Sequence, residues 1–429
     1  KFINYFNYII YFFILLLPVA LISGPFLPDL FICLSGIIFL IVYSFKKNQF
    51  KIFDKNLIII FIIWCLYILF TSLISRNITL SLESSLFYFR FGFLVLVVYY
   101  CCISSEIFIK YFTYILLISF IILFIDSVYQ YFNIKNLLGW EYYSKSRISS
   151  FFRDELIMGS YISRLTPLLI GLILHSFKIK EKYFIICFIL LISNILVLLS
   201  GERVAFFYIL IFDFFLLICV RSFRKYLSIF FIVLITMIIF ILSNTNSISN
   251  RIIDQTMKNF NFYDNPDPDI VNKTSEIFVF SKILNSTYQS AFSIFKDNIV
   301  FGVGPKNYRY ICANEGYFHY IGKTPNECLT HPHNTYFQLL SETGIIGFIF
   351  IFSIFLFLLL KLINFLIKYN LKKERINQLH EINYIILFCF FITLFPMVPT
   401  GNFFNNWLSC IYFLPIGFYY FIRQVKNSI

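Results

Sequence analysis

Two histidines one residue apart, His331 and His333, stand where a polar stretch runs directly into a long apolar one: His331-Pro332-His333-Asn334-Thr335-Tyr336-Phe337-Gln338-Leu339-Leu340-Ser341-Glu342-Thr343-Gly344-Ile345-Ile346-Gly347-Phe348. An imidazole that is neutral near pH 7 beside a hydroxyl is a general base, but the same pair could ligate a metal or serve only to close a helix end. A metal site asks for three or four ligands, and the chain has five His with no neighbouring Cys or His spacing that completes a zinc pattern. Asn334 or Thr335 can cap the following helix, and Thr335 with Gln338 has capping-box spacing, which puts both imidazoles just before the first turn. Asn334, Gln338 and Glu342 recur every four residues. That polar stripe must face a bundle or a cavity, since lipid would leave it unpaired, and it makes Asn334 and Gln338, with His331, candidates for substrate contact. Gly344 and Gly347 let a neighbouring backbone come close.

Fixed positive charge is the second chemical signal. Arg203 closes Leu199-Ser200-Gly201-Glu202-Arg203, a tight turn between two apolar runs, while Arg90 and Arg164 lie inside such runs. A planar guanidinium that keeps its charge suits phosphate; the alternatives are an ion pair of Arg203 with Glu202 or Glu155, and structural pairing of Arg90 and Arg164. Arg147 opens a segment that carries Glu155 at the mouth of a run, where the carboxylate could orient a base or an arginine or simply complement a helix N-terminus. Asp126 ends another run on the same expected face. Gly302-Val303-Gly304-Pro305 reads as a turn, because it lacks the Lys-Ser/Thr ending and preceding strand of a phosphate loop.

These groups must be positioned by membrane helices. Of 429 residues, 59% are hydrophobic and 13% charged, with mean hydropathy +0.80, far from the balance of a water-soluble domain. Apolar runs long enough to cross a bilayer predict twelve spans: 5–21, 30–45, 56–74, 84–103, 107–127, 155–177, 183–199, 204–220, 226–243, 335–360, 382–398 and 407–422. With Lys1 leading straight into an apolar run and no cleavable signal pattern, the first helix is expected to direct insertion. The net charge of +13 sits in short clusters between spans, which argues against nucleic acid as a partner. Lys46, Lys47, Lys51 and Lys55; Lys178, Lys180 and Lys182; Arg221, Arg224 and Lys225; and Lys368, Lys372, Lys373 and Arg375 all fall on one side of the count, with Lys1, Arg423 and Lys426. That side is expected to be cytoplasmic, with both termini on it. The opposite side receives a medium loop, 128–154, and one long segment. The expected organisation is 1–243 for nine helices, 244–334 for a periplasmic loop domain including the Asp264–Asp269 run, and 335–429 for three more helices. Within the long loop, helices are expected near 249–260 and 275–297. Cys312 and Cys328 are its two cysteines, while the other eight lie in or beside apolar spans. A bridge between the pair would close a small loop directly before His331, worth roughly 3 kcal/mol; two unrelated free thiols is the alternative.

At this point the residues resemble the O-antigen ligases and O-antigen polymerases of bacterial inner membranes. The ligase pattern is His followed by Asn, Ser or Gln, nine residues, then Gly-x-x-Gly, and His333, Asn334, Gly344 and Gly347 fit it. Ser200-Gly201-Glu202-Arg203, Phe301-Gly302-Val303-Gly304-Pro305, and Phe395-Pro396 through Gly401-Asn402-Phe403-Phe404-Asn405 are similar to family segments, and the likeness covers roughly the last two thirds of the chain. The resemblance implies an all-α, GT-C-like membrane protein. It implies a glycosyltransferase that moves a glycan from undecaprenyl diphosphate to lipid A-core or another glycan without metal, cofactor or nucleotide sugar, inverting the anomeric carbon. It makes His333 the base, Arg203 the leading diphosphate ligand and Arg251 a further one. Ligase and polymerase share these motifs. A transporter would instead show repeated halves and broken helices, and neither is evident in the sequence.

Overall fold

The computed structural model describes residues 2–46, 54–177, 179–220, 224–254, 256–257, 282–317, 320–321, 324–325, 328–371 and 378–428. Lys1, Lys47, Lys51, Lys178, Arg221, Lys372, Lys373, Arg375 and the Asp264–Asp269 run lie outside the described residues, as do parts of the helices expected at 249–260 and 275–297.

Helices cover every apolar run. In chain order they are α1 (Phe2–Ala20), α2 (Phe26–Lys46), α3 (Lys55–Leu73), α4 (Ile78–Ser85), α5 (Arg90–Ser104), α6 (Glu106–Asn133), α7 (Met158–Ser176), α8 (Ile179–Ser200), α9 (Arg203–Cys219), α10 (Arg224–Asn244), α11 (Asn246–Ser249), α12 (Lys282–Asp297), α13 (Tyr308–Asn314), α14 (Thr335–Leu366), α15 (Gln378–Thr393) and α16 (Asn406–Ser428). Among the described residues, eight helices are long and apolar enough to cross a membrane. The protein is thus an all-helical integral membrane protein, and among the described residues the only strands are the two-residue pair Tyr320–Ile321 and Thr324–Pro325. Helix α10 turns Ile229, Ile232, Val233, Ile235, Ile239 and Phe240 outward, a surface that lipid satisfies and water would not.

Local chemistry sets the ends. Asp54 caps α3 by accepting from Asn56 N at 3.1 Å, and Asn77 caps α4 by accepting from Leu80 N at 3.1 Å. The span expected at 382–398 stops as α15 at Thr393, three residues before Pro396, whose ring disfavours helix in the residue preceding it. Helix α7 is the centre of the bundle, buried along nearly its whole length and packed against α6, α8, α9 and α15. Contacts between connections fall into two sets. One joins Asn77 to Asn307, Gly201 to Arg251, Leu199 to Ile148, and His333 to Thr400. The other joins Tyr100 to Asn7, Tyr99 to Gln424, and Gln378 to Leu174. Each set contains only ends that the span count assigns to one side.

Helix α14 differs from an unbroken span. Gly344 has φ 63° and ψ −169°, a break after three turns that the sequence did not announce. A break frees carbonyls that must find partners. Val303 N donates to Ser341 O at 2.9 Å, Gly304 N to Glu342 O at 2.8 Å, and the Tyr67 hydroxyl to Thr343 O at 2.5 Å, while Ile345 N donates to Ile299 O at 2.8 Å. The Gly302 loop therefore latches into the gap. A Cβ on Gly302 would come 2.6 Å from Gly344 N, and one on Gly344 would collide with the Val300 carbonyl, so both positions require glycine.

Candidate active site

The loop before α14 is held from both sides. Asn334 caps the helix, its Oδ1 accepting from Tyr336 N at 2.9 Å and Phe337 N at 3.2 Å, and its Nδ2 donates to Pro396 O at 2.9 Å and Val398 O at 3.2 Å. Gln338 does not reach back as a capping box would. Its Nε2 donates to Asn402 Oδ1 and Glu342 Oε2, both at 2.8 Å, and its Oε1 accepts from Phe403 N at 2.9 Å. The polar stripe thus faces the bundle. Because both amides spend their donors on this scaffold, Asn334 and Gln338 hold the helix and the 396–403 segment together and do not offer free donors to a substrate.

Two imidazoles are thereby fixed. His333 has φ 55°, a left-handed backbone that is costly for a side-chain-bearing residue, and its carbonyl accepts from Thr400 N at 2.8 Å. The rings of His331 and His333 lie 4.0 Å apart between centroids. His331 Nδ1 meets Thr330 Oγ1 at 3.0 Å, and its buried Nε2 has no hydrogen-bond partner among the described residues. Burial, with His333 and the Arg309 cation adding to it, pushes the His331 imidazole down to about 3; burial alone lowers His333. Both are neutral at pH 7, the state a base requires.

Arginines gather around the turn between α8 and α9. Arg251 donates from Nε to Gly201 O at 3.1 Å. It lies close enough to Arg147 and Arg203 that, with burial as the first cause, its guanidinium is lowered to about 10. Burial likewise lowers Arg147, whose Nε is buried without a partner among the described residues. The carboxylate among them is Glu202. It accepts from Gly159 N at 2.6 Å and Ser160 N at 3.1 Å, capping α7 from a neighbouring turn, and burial pushes its carboxyl up to about 7. Three arginines against one half-neutralised acid leave positive charge in a partly desolvated place, a setting for an anion. Glu155, by contrast, is exposed on a turn whose backbone N donates to Phe152 O at 3.0 Å.

The arginine group and the histidine loop are connected. Arg164, 2% exposed, places its guanidinium 5.0 Å from the Tyr208 ring centre and keeps Nε unpaired among the described residues. Tyr412 stands near both Arg164 and Thr335, the first residue of α14. Arg164 therefore lies on the route from the arginines to the residue two beyond His333. In a chain with 30 Tyr nothing in the sequence marks these two. Arg90 has a different place: Nε donates to Asp29 Oδ1 at 2.6 Å, a structural pair beside Phe91.

Cys312 and Cys328 are disulfide-bonded, with Cα atoms 5.8 Å apart, and the bridge ties α13 to the chain entering His331. A family model described as O-antigen ligase matches residues 186–352. That range runs from α8 through Arg203, Arg251 and the Gly302 loop to the first part of α14. No curated protein matches the chain.

Proposed function

We propose that this protein, which matches a family model described as O-antigen ligase over residues 186–352, transfers a glycan from undecaprenyl diphosphate to an acceptor hydroxyl at the periplasmic face of the bacterial inner membrane. The observation that carries the reading is a half-buried His333, fixed through its carbonyl by Thr400 N, at the same end of the bundle as Arg147, Arg164, Arg203 and Arg251. His333 accepts the proton of the acceptor hydroxyl as its oxygen bonds to the anomeric carbon. The bond from that carbon to the diphosphate oxygen breaks, and the electron pair leaves on the lipid diphosphate. One displacement inverts the anomeric centre. Arg203, with Arg147 and Arg251, binds the diphosphate before and during departure, where charge on the leaving oxygen grows. Glu202 holds the arginine turn against the N-terminus of α7. The chemistry needs no metal, since the base and the fixed cations supply both demands. Twelve spans with both termini cytoplasmic and the 244–334 segment periplasmic put the site on the required side.

The acceptor is lipid A-core in the ligase reading and a second glycan unit in the polymerase reading. Purified protein given an undecaprenyl-diphosphate glycan and each acceptor in turn tests both, and product with neither acceptor would overturn the proposal by its absence. The break at Gly344 does not revive a transporter. All three carbonyls it frees accept a hydrogen bond within the protein, whereas a transporter's unwound carbonyls coordinate its ions.

A further inference from the structure

A transferase holds two substrates, and the arginines around Gly201 answer only for the donor. A second group of cations stands on the other approach to the histidines. The Gly302 loop and the start of α13 carry Lys306 and Arg309, fixed against α14 by Val303 N and Gly304 N on its carbonyls and by Tyr308 N, which donates to Glu342 Oε1 at 3.3 Å. Arg309 lies close to His331, Lys306 and Glu342. Little compensates this charge. Glu342 is fully buried and its two oxygens already accept from Gln338 and Tyr308. Beside Glu342, Lys306 has Glu83, 4.0 Å away and 64% exposed, and a pair so exposed contributes little. Arg309 Nε, a donor, and His331 Nε2 are both buried without a hydrogen-bond partner among the described residues, and the Arg309 charge acts on the His331 ring. Lys306, like His333, has a left-handed backbone at φ 61°, a cost borne at both ends of this group.

We infer that Lys306, Arg309 and His331 form a subsite for an anionic group, carboxylate or phosphate, on the acceptor. The inference rests on the transfer reading and gives the acceptor a chemical class: a negatively charged sugar, held with its hydroxyl toward His333. Arg309 supplies the forked contact, Lys306 the second charge and His331 a neutral hydrogen bond.

Transfer kinetics with the full-length protein separate the two substrates. Arg309→Gln is expected to raise the acceptor KM ~10- to 100-fold with the donor KM unchanged, Arg309→Lys to recover part of the loss, and Arg203→Gln to raise the donor KM instead. A donor KM that rises with Arg309→Gln, or no change in either, overturns the subsite. A second readout is independent of turnover: thermal unfolding in detergent with glucuronic acid, glucose 6-phosphate or glucose at equal concentration. Wild type and Arg203→Gln should gain ~2 °C or more with at least one of the charged sugars and nothing with glucose, and Arg309→Gln should lose that gain. A shift with glucuronic acid alone assigns a carboxylate, and one with glucose 6-phosphate alone a phosphate. Equal shifts in wild type and Arg309→Gln overturn the subsite. If the wild type transfers nothing, the function fails, and the unfolding measurement still decides the anion site.

Discussion

His333 adopts a backbone that favours glycine while carrying an imidazole, and the burial it meets there lowers its pKa from the ordinary value. If it is the base, His333→Ala lowers turnover by ~10²- to 10⁴-fold with donor affinity nearly intact, whereas Arg203→Ala weakens both and Arg203→Lys restores only part. Binding of labelled donor alongside single-turnover transfer separates the two effects. The pH dependence has a definite sign. Burial places the His333 imidazole below its ordinary 6.5, so the acidic limb of kcat/KM should fall below pH 6.5 and not at it. The same depression makes the unfolded chain bind more protons as pH drops. Stability should therefore be lost progressively from pH 6.5 toward about 3, the value to which His331 is pushed. An acidic limb above pH 7 would contradict the buried, neutral imidazole. That His333 stands just before a helix and Arg203 at a turn between two was legible, because a capping residue and the apolar runs mark those ends. Glu202 was readable only as a partner for Arg203, since its capping of a helix 43 positions earlier arises from tertiary packing.

Three segments far apart in the chain converge on α14: the Gly302 loop on its break, the 396–403 segment on Asn334 and Gln338, and α13 on Glu342. The apolar runs made the helices themselves predictable, and the four-residue polar stripe showed that α14 faces protein. The break was not legible, because a glycine in an apolar run is compatible with a continuous helix until a loop arrives to take its carbonyls. Gly344→Ala should destabilise the folded protein by on the order of 2–4 kcal/mol, read as a lowered Tm in detergent. Unchanged stability would mean that the helix can run straight and that the latch is dispensable. The disulfide belongs to the same scale. Cys328→Ser should cost roughly 3 kcal/mol by releasing a 16-residue separation, and mass spectrometry of unreduced peptides should recover Cys312 and Cys328 as one linked species.

At the scale of the whole molecule, two opposed sets of connections meet on either end of the bundle, and every cation assigned here to substrate lies on one of them. The basic residues of the other end are the reason it is proposed to face the cytoplasm. A membrane-impermeant maleimide should label Glu141→Cys from the periplasm and Asp54→Cys only after the membrane is opened; the reverse pattern would remove the donor and acceptor from the site. The role of His333 as the base that drives glycan transfer off a lipid diphosphate is tested by comparing purified wild type with His333→Ala, both folded, on an undecaprenyl-diphosphate glycan with lipid A-core or a second glycan as acceptor. That role requires an inverted glycosidic product from the wild type and a loss of ~10²-fold or more in the variant. Near-equal turnover by the two proteins would contradict it.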